Sequence, residues 1–169
     1  PDTSTSNDFI WFFFQCSSLT SVPLLDLSSG DRYFAMFRGC SNVGTLPTLD
    51  FTSGTNSTKF RETFREMALL TTLDNCTFGD SRGDIRLMFR DCTSLLNIPP
   101  SLVTTNCSNM QQAIYGCRSF TSIPLLDTPN VANFERAFQG CSGITSFPQL
   151  DFSSGHNIGN AFNGCTSLV

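Results

Sequence analysis

Apolar side chains return along this chain at a fixed interval. Cysteines stand at 16, 40, 92, 117, 141 and 165, spaced by 24, 52, 25, 24 and 24 residues, and Met67 divides the long gap into 27 and 25. Seven repeat units result. With the Cys or Met as position 0, position −3 is Phe13, Phe37, Phe64, Phe89, Ile114, Phe138 or Phe162. Position −7 is Phe9, Tyr33, Phe60, Ile85, Met110, Phe134 or Ile158, and position +3 is Leu19, Val43, Leu70, Leu95, Phe120, Ile144 or Leu168. Position +6 is Val22, Leu46, Leu73, Ile98, Ile123 or Phe147, usually followed by Pro, as at Pro23, Pro47, Pro99, Pro124 and Pro148.

Positions −7, −3 and 0 share the spacing of one helical face. At −8 stand Asp8, Asp84, Asn109, Asn133 and Asn157, residue types that cap helix N-termini. At −1 stand Gly39, Gly116, Gly140 and Gly164, suited to a stop at positive φ. The spacing therefore predicts a helical piece of under two turns, or a 3₁₀ turn, in each unit. The stretch after it, such as Thr121–Leu126, has the length and apolar content of a strand, and Pro near its end favours very short parallel strands. Asp26–Gly30 and Asp151–Gly155 then make a turn. One strand and one helical turn cannot bury a face alone, but stacked units can. The expected fold is an α/β leucine-rich-repeat solenoid of about seven coils of 24–25 residues. Short parallel strands would line one side and helical or 3₁₀ turns the other, in a single repeat domain over 1–169 with a divergent stretch near 59–91.

The run Ile158-Gly159-Asn160-Ala161-Phe162-Asn163-Gly164-Cys165-Thr166-Ser167-Leu168 resembles the repeat of the BspA-like leucine-rich-repeat family, as does Phe134–Cys141 with Ile144 and Pro148. The pattern A-F-x-G-C-S-x-L-T-S-I-P recurs over nearly the whole chain. The resemblance implies attachment or scaffolding, since such repeats occur in microbial surface proteins and in phage tail and virion proteins; it brings no catalytic residues. The unit around Met67 departs from the pattern, with neither Cys nor Pro and with Asp74 in the Pro place, and the unit at Pro99-Pro100 lacks the turn Asp.

Composition refines this picture. The chain has 17 Phe but only 14% charged residues, which suggests a large core under a neutral surface of hydroxyls and amides. A net charge of −4 argues against nucleic acid, whose phosphates need clustered Lys and Arg. The longest apolar run, Phe9–Phe14, is too short to span a bilayer, so no membrane insertion is expected. A start at Pro1 without Met suggests a processed or excised piece of a longer chain.

Six in-phase cysteines fit either a disulfide ladder or small buried apolar residues, and Met67 at the same phase favours the second. Cys76 falls at an inward phase, whereas Cys107 lies in a turn and is the expected exposed thiol. No C-x-x-C pair points to zinc. Asp26, Asp50, Asp127 and Asp151 share a phase: they would either accept hydrogen bonds within their own turns or, as a weaker alternative, line up for calcium. Arg82-Gly83-Asp84 spells an integrin-binding tripeptide, but Asp84 has the capping place. Three N-glycosylation sequons, at Asn56, Asn75 and Asn106, are no more than this composition produces by chance.

Charge singles out one stretch. Lys59, Arg61, Arg65, Arg82, Arg86 and Arg90 are six of the ten basic residues, interleaved with Glu62, Glu66, Asp80, Asp84 and Asp91. Such mixing describes a solvated, paired face, or a partner-contact surface on the divergent coils. His156 is the single histidine and sits in a turn, so neither a triad nor any cofactor is expected. The expected function is non-enzymatic: adhesion or structural display on a microbial surface or phage particle, outside the cell, binding a protein or glycan through repeated faces. The alternative is a scaffold or fibre subunit that self-associates end to end through uncapped coils.

Overall fold

A computed structural model of the chain describes residues 2–81 and 83–169; Pro1 and Arg82, the latter among the candidate basic residues, lie outside the described residues. Each unit lies against the next in parallel. The only strands among the described residues are β1 (Asp50–Phe51) and β2 (Thr77–Phe78), paired in parallel with Asp50 opposite Thr77. Isolated parallel bridges extend the same register at position −8, joining Asp8 to Arg32, Asp84 to Asn109, Asn109 to Asn133 and Asn133 to Asn157. Others join Asp80 to Val103 and Ser122 to Ser146. The strand side is thus shorter than expected, because Pro after position +6 supplies no N–H to a ladder.

Among the described residues the expected helical pieces are absent, and this is the main correction. From −7 to +3 each coil is a run of overlapping turns, each closed by a hydrogen bond from residue i+3 to i. In the first coil the N–H groups of Phe12, Phe14, Cys16 and Leu19 donate to the carbonyls of Phe9, Trp11, Phe13 and Cys16. The intervening N–H groups leave the coil altogether. Those of Phe9, Trp11, Phe13 and Gln15 donate to the carbonyls of Arg32, Phe34, Met36 and Arg38 in the next coil, at 2.7–3.1 Å. A helix would send every N–H back to residue i−4 and leave none for the neighbour.

The alternation is made by residues with positive φ every fourth place. Position −5 is left-handed at Trp11, Ala35, Glu62, Leu87, Gln112, Arg136 and Asn160, with φ from 52° to 60°. Position −1 is left-handed at Gln15, Gly39, Glu66, Asp91, Gly116, Gly140 and Gly164. A positive φ at the third residue of a turn is the type II signature; that residue's own N–H points along the stack, as at Trp11 and Gln15, while the next N–H closes the turn. Glycine at −1 is therefore used as expected, though to end a turn rather than a helix.

Between turns and strand side lies one core. Phe13, Phe37, Phe64 and Phe89 stack face to face, with centroids 5.6–5.9 Å apart and planes within 12°. Phe9, Tyr33 and Phe60 form a second column. Coil spacing near 4.8 Å sets this offset stacking, which adds about 0.5–1.5 kcal/mol per pair beyond burial. Six of the eight cysteines are buried core residues, and all eight are free thiols. Each in-phase thiol after the first reaches the −3 carbonyl of the preceding coil: Cys40 to Phe13, Cys92 to Phe64, Cys117 to Phe89, Cys141 to Ile114 and Cys165 to Phe138, at 2.9–3.2 Å. Burial raises their pKa, to about 12 for Cys92 and Cys141. Cys76 is buried, as its phase implied. Cys107 is a correction: it is fully buried and its thiol pKa is pushed up to about 11 by desolvation. The exposed thiol is Cys16.

Candidate functional site

The backbone geometry of the turns decides which side chains face out. Positions −7 and −3 point into the core, while −6 and −2 stand at the surface and repeat once per coil. Position −6 runs Ile10, Phe34, Arg61, Arg86, Gln111 and Glu135; position −2 runs Phe14, Arg38, Arg65, Arg90, Tyr115 and Gln139. Along the stack this turn face therefore changes from aromatic to cationic to amide.

Its cationic middle is paired. Arg65 contacts both Glu62 (3.1 Å) and Glu66 (3.0 Å), and Arg38 reaches Glu62 at 2.8 Å from the preceding coil. Arg86 grips Asp84 with both Nε and Nη2 at 2.8–3.0 Å. Asp84 is buried and also accepts the N–H of Arg86, so its carboxylate serves its own turn and is not on display. Arg90 meets Asp91 at 3.1 Å and Gln112 at 2.6 Å and lies over the Tyr115 ring. Of the candidate residues described, Arg65, Arg86 and Arg90 thus belong to a paired, solvated face.

Lys59 and Arg61 are different. Lys59 is almost fully buried; its Nζ donates to the Ser53 carbonyl and lies 4.8 Å from the Phe60 ring centre. Arg61 lies over the Phe34 ring at 5.5 Å, and its Nε, 3.7 Å from Glu62, is buried without a hydrogen-bond partner. With Ile10, Arg32, Phe34, Asn56 and Thr58 they line an open cavity of about 310 Å³ across the first three coils. Among the described residues three cations and no carboxylate line it. Arg32 is half exposed and paired with Asp8 at 2.9 Å.

The cavity arises from a length change. Cys16 to Cys40 spans 24 residues and Cys40 to Met67 spans 27, a surplus of three. The surplus falls between Gly54 and Lys59, where four residues stand in place of the single Asp31 between Gly30 and Arg32. Asp31 holds the longer loop by accepting the N–H groups of Thr55 and Asn56, and Asn56 in turn accepts the N–H and hydroxyl of Thr58. Gly54, at φ 86°, packs so closely that a Cβ there would sit 2.5 Å from the Asp31 Cα. Next to the cavity, Trp11 and Phe14 are 59% and 40% exposed, with Trp11 6.1 Å from Phe34.

The aligned aspartates serve their own turns. Asp26, Asp50 and Asp151 accept N–H bonds from Ser28, Thr52 and Ser153 at 2.8–2.9 Å, and hydrogen bonding from the hydroxyls and then the N–H groups of those residues lowers their pKa. Pro129 leaves Asp127 no such donor two residues on, and it accepts the Thr105 hydroxyl instead. Among the described residues no group of three or more His, Cys, Asp and Glu is placed to hold a metal ion. The residues that sequence reasoning missed are Arg32, Phe34, Trp11 and Phe14; the signal was the place of Phe34 at −6 and Phe14 at −2 next to the one lengthened unit, whereas Arg32 at −8 and Trp11 at −5 carried none.

The sequence matches no family model and none of the curated proteins compared with it. A leucine-rich repeat protein from Bacteroides ovatus, solved by crystallography, is similar in structure, with 16% sequence identity and a TM-score of 0.47. The match covers 80% of this chain, which spans 38% of the length of that one.

Proposed function

We propose that this chain is a non-enzymatic recognition module, a leucine-rich-repeat solenoid of the BspA-like kind, that presents its turn face to a protein or glycan outside the cell. A microbial surface or a phage particle is the setting that suits it. The observation that carries the reading is the graded turn face: exposed Trp11 and Phe14, then Arg61 and Arg32 about an open cavity. Cross-coil hydrogen bonds hold these side chains at fixed spacing, so a ligand meets a preorganised surface and little ordering entropy opposes binding. Repetition adds weak contacts into avidity.

The test compares two double variants of the whole chain on arrays of extracellular proteins and glycans. Trp11→Ser with Phe14→Ser removes the aromatic edge of the turn face. Leu24→Ser with Leu125→Ser removes two leucines that are equally exposed, at 71% and 75%, outside the turn face. The expected result is lost binding in the first variant and unchanged binding in the second. Equal behaviour of the two, or no binding by the unaltered chain, sinks the proposal.

A further inference from the structure

Resting on that reading of the turn face, we infer that the cavity between Arg32 and Arg61 is a binding site for an acidic sugar, a carboxylate-bearing unit of a glycan. Size comes first. At about 310 Å³ and open to solvent, it lies at the lower end of ligand-pocket volumes and suits one ring rather than a peptide strand. Charge is next. Among the described residues the lining holds the cations Arg32, Lys59 and Arg61, whose acid neighbours Asp8 (2.9 Å from Arg32) and Glu62 (3.7 Å from Arg61) stand outside it, although the whole chain is net negative. With its side chain 37% exposed, Arg61 can turn a donor edge of its guanidinium to the cavity, while its buried Nε lies 3.7 Å from Glu62. A planar guanidinium receives a carboxylate through paired N–H donors, which a lysine cannot match.

The remaining walls fit the rest of a sugar. Ile10 and the part of Phe34 not covered by Arg61 offer apolar surface for the ring's C–H face, and exposed Trp11 extends it toward a second unit. Asn56 and Thr58 bring amide and hydroxyl groups to the rim, suited to ring hydroxyls. An extended acidic peptide would outgrow a cavity of about 310 Å³, which a single sugar ring fills.

The experiment titrates the whole chain with glucuronate-terminated and sialate-terminated oligosaccharides, each beside its carboxyl-reduced counterpart, by calorimetry at low and physiological salt. At least one acidic probe is expected to bind saturably, and its reduced partner about tenfold or more weaker. Arg61→Gln and Arg32→Gln should each cost a similar factor, while Arg136→Gln, farther along the same face, leaves affinity unchanged. Melting curves confirm that each variant is folded; should Arg61→Gln unfold, Arg61→Lys replaces it with the same expected loss. Equal binding of reduced and acidic probes, or indifference to both arginine substitutions, overturns the site. So does tighter binding of an Asp/Glu-rich peptide that displaces the sugar. If no oligosaccharide binds while Trp11→Ser with Phe14→Ser still abolishes recognition of a protein, the sugar site falls and the recognition face stands. If that pair changes nothing either, both fall.

Discussion

At the level of single residues, the cysteines show what a repeat position selects for. A thiol at position 0 fills the volume of a small apolar side chain and also donates to the −3 carbonyl of the coil before it, as Cys141 does to Ile114 at 2.9 Å. Met67 fills the volume but cannot donate. The phase of Cys76 was legible as inward, but that of Cys107 was read from its turn-like neighbours instead. Val131, ten residues before Cys141, is buried just as Cys107 is, ten before Cys117; that shared phase was the missed signal. Thiol labelling at pH 8 checks the assignment. Cys16 should react within minutes and Cys165, half-buried, more slowly. Cys107 and the other buried thiols, with raised pKa values, should react only after unfolding. Fast labelling of Cys107 in the native protein would refute its burial.

Within one coil, the spacing −7, −3, 0 was read as a helix because the helix is the common way to bring such residues to one face. A chain of turns with a left-handed residue every fourth place does the same, and nothing in the apolar pattern separates the two. The signal that separates them is weak: glycine fills −1 in four coils, but −5 is never glycine. Left-handed φ at a non-glycine residue costs about 1–2 kcal/mol, so −5 carries strain that the cross-coil bonds offset. Arg136, at φ 55° and largely exposed, offers a clean test. Arg136→Gly should raise the unfolding free energy by up to about 1 kcal/mol, the relief exceeding the entropy that glycine adds to the unfolded chain. Gly140→Ala should lower it by about 1 kcal/mol, since φ there is 75° and the new methyl meets only ordinary contacts. Urea denaturation of both variants decides; a helical coil would reverse both signs.

For the molecule as a whole, the parallel stacking of units was legible from the period alone, because every unit repeats the same inward phases. The cavity was not, since its position depends on where three surplus residues are inserted and on how Asp31 and Asn56 tie them down. Stacking also fixes how the molecule responds to force. On the turn side, up to four backbone hydrogen bonds join each coil to the next, and all of them run along the axis of the stack. A pull on the two ends loads those bonds in tension, one interface at a time, rather than in shear across many at once. The chain should therefore pay out like tape, at low and nearly constant force, in steps of about 80 Å as each coil of 24 residues straightens. Optical-tweezers traces would show that staircase, and a single tall rupture releasing all coils together would contradict it. A chain built this way yields under a tug one coil at a time and rewinds when slack, so it absorbs a sudden load instead of transmitting it.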